Sequence, residues 1–113
     1  MVQLHGRDAE VRIGNPTQRP LAVSITLYRD ATTPGKPVTL GDSLRARISP
    51  STFTLQPGVE QTVRLRVQAS VRQGEVLRLA VTFTPVEEPE PQPRPTMRFI
   101  MAVRYLVRVE VRP

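Results

Sequence analysis

Residues 21–28 read Leu-Ala-Val-Ser-Ile-Thr-Leu-Tyr. Leu21, Val23, Ile25 and Leu27 form one row and Ala22, Ser24, Thr26 and Tyr28 the other, the period of two that belongs to a strand with one buried face. The same alternation recurs on both sides. Ala9, Val11 and Ile13 are separated by Glu10 and Arg12, and Val63, Leu65 and Val67 by Arg64 and Arg66. Leu77, Leu79, Val81 and Phe83 alternate with Arg78, Ala80, Thr82 and Thr84 up to Pro85. Phe53 and Leu55 mark a shorter strand. Gly14-Asn15-Pro16-Thr17 and Gln56-Pro57-Gly58 supply turn chemistry between these runs. Twelve prolines, six glycines and the scarcity of uninterrupted helix formers argue against helices.

Between Arg29 and Arg47 the alternation lapses, and a long connection is expected there, with one short edge strand at Val38 to Leu40. Pro85 to Pro95 holds five prolines and three glutamates (Glu87, Glu88, Glu90), so residues 85–96 are expected to form a proline-rich loop. After it, Met97, Phe99, Met101, Val103, Tyr105, Val107, Val109 and Val111 keep one parity over fifteen residues, about 50 Å of extended chain. These segments predict one domain over residues 1–113, an all-β, immunoglobulin-like antiparallel sandwich of about seven strands. Val23, Ile25, Leu27, Val63, Leu65, Leu79, Val81 and Phe83 are expected to share its core.

Composition removes several classes of function. There is no cysteine and one histidine, His5, so neither a His/Cys metal centre nor a histidine-based triad can be assembled. Most simply, His5 is a polar residue near a terminus. The glutamates of the proline-rich segment lack the fixed separation that paired acid catalysis needs, and Gly35, Gly41, Gly58 and Gly74 are isolated turn glycines rather than a phosphate loop. No enzymatic activity and no cofactor are expected. No apolar run approaches the roughly 20 residues of a membrane span, and no secretory leader opens the chain. The net charge of +6 comes from fifteen arginines and Lys36. Arg98, Arg104, Arg108 and Arg112 share one face of the last segment and could track phosphates, yet three phenylalanines and two tyrosines offer few stacking partners for nucleic acid.

The last segment is the most informative for function. Its first half is apolar on both faces, with Phe99, Met101 and Val103 on one and Ile100 and Ala102 on the other. Such a strand is either central and buried on both sides, or it offers an apolar row to a partner or to a second copy of the chain.

The sequence resembles the N-terminal domain of the periplasmic pilus-assembly chaperones, the PapD-like proteins. The elements that carry the resemblance are Asn15-Pro16 followed by Pro20, Ser49-Pro50, Leu55-Gln56-Pro57-Gly58 leading to Thr62-Val63-Arg64-Leu65, and a closing strand that ends in Arg112-Pro113. The resemblance implies a periplasmic chaperone domain whose last strand completes a pilin subunit by β-strand addition. It places the apolar binding row on Phe99, Met101 and Val103, and a basic anchor for the subunit's terminal carboxylate on Arg108. It also places the family's interdomain charge pair on Glu75 and Arg112. The family's second anchoring arginine would fall before Met1, and its second immunoglobulin-like domain would follow Pro113. The alternative is a structural or protein-interaction module, as in the related major-sperm-protein domains.

Overall fold

The computed structural model describes residues 2–5, 7–68, 70–86 and 102–112. They form β1 (Val2–His5), β2 (Asp8–Gly14), β3 (Leu21–Asp30), β4 (Leu40–Ser43), β5 (Ala46–Ser49), β6 (Thr52–Leu55), β7 (Glu60–Val67), β8 (Val76–Pro85) and β9 (Val103–Arg112). The hydrogen-bonded order is β4-β3-β8-β9-β1-β2-β7-β5, with β6 on the same edge of β3 as β4. The path folds over into two layers, because residues of β3 and β8 share a buried cluster with residues of β2 and β7 although these strands do not pair. The architecture is the all-β immunoglobulin-like sandwich expected from the alternation.

The expected core is found. Val23, Ile25, Leu27, Val63, Leu65, Leu79 and Val81 are each at most 4 % exposed, and Phe83 packs against them half-buried. Burying each of the aliphatic side chains contributes about 1.5–3 kcal/mol. In β3 and β8 one parity supplies all of these residues, which is why a strand pattern was legible. The Gln56-Pro57-Gly58 turn closes through the Val59 N–H, which donates to the Gln56 carbonyl at 3.2 Å. Its third residue needs a left-handed backbone, and Gly58 supplies it at φ 73°.

Asn15 is the one buried polar side chain, 2 % exposed, among the described residues. Its Nδ2 donates to the carbonyls of Arg19 (2.7 Å) and Leu55 (2.9 Å). Its Oδ1 accepts from the Thr17 N–H (2.9 Å) and hydroxyl (2.6 Å). Thus the Asn-Pro turn also ties the β2–β3 connection to the end of β6.

Three short strands, β1, β4 and β5, have no counterpart in the alternation. The stretch 29–47, expected to be a connection with an edge strand at Val38 to Leu40, carries the end of β3, β4 from Leu40 and the start of β5. Val38 itself is 45 % exposed. After β4 the chain crosses to the other layer, pairs β5 with β7, and returns to pair β6 with β3. A four-residue strand turns only two side chains inward, here Ala46 and Ile48, and two residues cannot display a period. β1 was missed for the same reason. It pairs parallel with β9, Val2 opposite Val109 and Leu4 opposite Val111, and Leu4 is fully buried.

Candidate functional site

β9 has two edges with different fates. One pairs antiparallel with β8 from Phe83↔Val103 to Val76↔Glu110. The other pairs with β1 only over residues 109–112. Among the described residues, nothing pairs with that edge over residues 103–108. The other strands at the ends of the path, β4, β5 and β6, are four residues each, too short to offer a comparable template.

Side chains of one parity run along β9 from core to surface. Val109 and Val111 are buried at 0 % and 6 % exposed, Val107 is half-buried, and Tyr105 and Val103 are exposed at 57 % and 45 %. Next to the open edge is an apolar cleft of about 450 Å³, lined by Val103, Tyr105 and Val107 of β9 and by Val11 and Ile13 of β2. Val81 and Phe83 of β8 also line it. The Tyr105 ring meets Phe83 edge-on, 5.6 Å between centroids at 80°. The cleft exists because β2 meets β1 only at His5↔Asp8, leaving its remaining residues paired with β7 alone among the described strands.

The opposite face of β9 is charged. Arg104 lies over the Tyr28 ring, 5.3 Å from its centroid. Arg108 pairs through Nε with Glu110 at 3.3 Å and sits in register with Arg78 of β8. Arg78 reaches Asp30 of β3 at 3.7 Å, and its Nε is buried without a hydrogen-bond partner. Hydrogen bonds from the Thr32 hydroxyl and N–H, with the Arg78 guanidinium beside it, hold the Asp30 carboxyl below its ordinary pKa against the opposing effect of burial.

The structure therefore brings Val103 and Arg108 onto one strand, on opposite faces. Phe99 and Met101 lie outside the described residues. Glu75 pairs with Arg29 and accepts the Arg72 N–H at 3.0 Å. Arg112 ends β9, but its side chain lies outside the described residues. Sequence reasoning centred the apolar row on residues 99–103 and passed over Tyr105 and Val107, although they hold the same parity. The contribution of β2 to the cleft had no local signal, since Val11 and Ile13 alternate like any core strand.

No protein-family model and no curated protein matches the sequence. Solved structures do match its fold. The chaperone DraB of E. coli superimposes with a TM-score of 0.76 at 12 % identity, covering 98 % of this chain and 51 % of that one. A chain of the SafA pilin–SafB chaperone complex of Salmonella enterica gives 0.67 at 18 % identity, covering 99 % and 50 %. A chain of the CsuC–CsuE chaperone–tip adhesion subunit complex of Acinetobacter baumannii gives 0.66 at 16 %, covering 97 % and 52 %. The chain spans about half the length of each. In fold, then, it is similar to one half of a PapD-like pilus chaperone.

Proposed function

We propose that this domain binds a pilin-like subunit by β-strand addition to β9, as a non-enzymatic, periplasmic assembly chaperone would. The observation that carries the reading is the open β9 edge at residues 103–108 beside an apolar cleft. An unpaired edge offers main-chain hydrogen bonds to an extended segment, and the adjacent apolar row supplies the burial that makes such pairing stable in water. The matched structures include chaperones solved with a pilin and with a tip adhesion subunit, which supports the same kind of partner here. In this reading Phe99 and Met101 extend the row begun by Val103, and Arg108 anchors the subunit's terminal carboxylate.

The test is to mix the domain with an unfolded pilin-type subunit and follow complex formation by gel filtration and amide exchange. Slowed exchange at residues 103–108, and loss of the complex in Val103→Glu with an unchanged melting temperature, are the expected results. A complex whose protection lies elsewhere would overturn the reading. The Arg108–Glu110 pair favours a second reading, a protein-interaction module that does not capture a terminal carboxylate. Comparing free-acid and amidated C-terminal peptides separates the two. Arg108→Ala should weaken only the free acid, by roughly ten- to a hundredfold for a hydrogen bond to a charged group.

A further inference from the structure

The slot between β9 and β2 is already occupied along part of its length. β1 fills it beside residues 109–112, extended and parallel to β9, and its alternate residues Val2 and Leu4 face the core. Beside residues 103–107 no described residue fills the slot, and the cleft lies there, with Val103, Tyr105 and Val107 in the same inward row as Val109 and Val111. What the slot accepts at one end shows what fits at the other: an extended segment with an apolar side chain at every second position.

We infer that the cleft is a receptor for three alternating bulky apolar side chains of the partner's strand, seated between β9 and Val11 and Ile13 of β2, so that the partner completes this domain's own core. The inference rests on the strand-addition reading and adds where the incoming side chains go. Its volume suits the assignment. A benzene-sized group fits a cavity of about 150 Å³, so a cleft of about 450 Å³ takes roughly three such groups. Three is also the number of cleft-facing positions, 103, 105 and 107, along the open edge.

Two end-capped synthetic peptides test this, Lys-Thr-Leu-Thr-Leu-Thr-Leu-Lys and the same sequence with alanine for each leucine. The caps keep any carboxylate effect at Arg108 out of the comparison. Affinities are measured by calorimetry, and edge occupancy by amide exchange at residues 103–108. The leucine peptide is expected to bind at least about a hundredfold more tightly than the alanine peptide, since each truncation removes several buried methylene equivalents. Val11→Trp, which fills the cleft from β2 and leaves every residue of β9 unaltered, should bring the leucine peptide down to the affinity of the alanine peptide. If that variant fails to fold, the two peptides on the unaltered domain decide alone. Equal affinities with protection of 103–108 in both complexes would overturn the cleft assignment and leave strand addition standing. If neither peptide binds, the strand-addition reading fails and this inference falls with it.

Discussion

Asn15 carries more structure than any other polar residue described. Its carboxamide donates to two carbonyls and accepts two bonds from Thr17 in a site only 2 % exposed. Asn15→Ala removes all four bonds, although the Arg19 carbonyl still accepts from the Thr17 hydroxyl at 3.0 Å, and each lost bond costs about 0.5–1.5 kcal/mol. The urea midpoint should fall by a corresponding amount with the slope unchanged, as for a loss of stability without a change in exposed surface. Asn15→Asp should be worse at neutral pH, because it turns a carboxylate oxygen towards the Arg19 and Leu55 carbonyls, and should recover in part as the pH falls. Asp30 behaves in the opposite sense. Its folded pKa is lowered, chiefly by the Thr32 hydroxyl, so its contribution is present above the unfolded value near 4 and is lost as pH falls through the folded value. Asp30→Asn should therefore flatten the acid limb of the stability curve below about pH 4. An unchanged limb would show that the Thr32 and Arg78 contacts contribute nothing in solution.

At the scale of one element, β9 contains a buried stretch and an open edge in a single parity. Val109 is fully buried and Val103 is 45 % exposed, although both are valines on the same row. Val109→Glu should unfold the domain, because an unpaired buried charge costs more than a small domain's margin of stability. Val103→Glu should leave the melting temperature within a degree or two. Equal effects would mean that the cleft is closed in solution. β1 is the complementary case. Leu4→Ala should cost about 2–5 kcal/mol even though β1 has only four residues, since the side chain is fully enclosed against β9.

Across the whole molecule three of the pairings are remote in sequence. β2 pairs with β7, β3 with β8, and β1 with β9, so partners are separated by about fifty to over a hundred residues. Loops of that length must close before their contacts form, which slows folding. Stopped-flow refolding should show a principal phase in the millisecond-to-second range; a microsecond phase carrying the full amplitude would contradict this account.

Much of this architecture was legible in the sequence. β3, β7 and β8 announce themselves because eight to ten residues with one buried face must alternate, and Gly58 and Asn15 mark turns through their own backbone and side-chain chemistry. The parity of β9 was legible too, and with it the apolar row that ends in the core at Val109 and Val111. Nothing local could show where along that row the core stops. That depends on β1 covering residues 109–112 and leaving 103–108 open, and on β2 standing away from β9 to form the cleft. Alternation states which side chains share a face, a property of one strand. Whether a face is buried or open is a property of its neighbours, and only the tertiary structure supplies them.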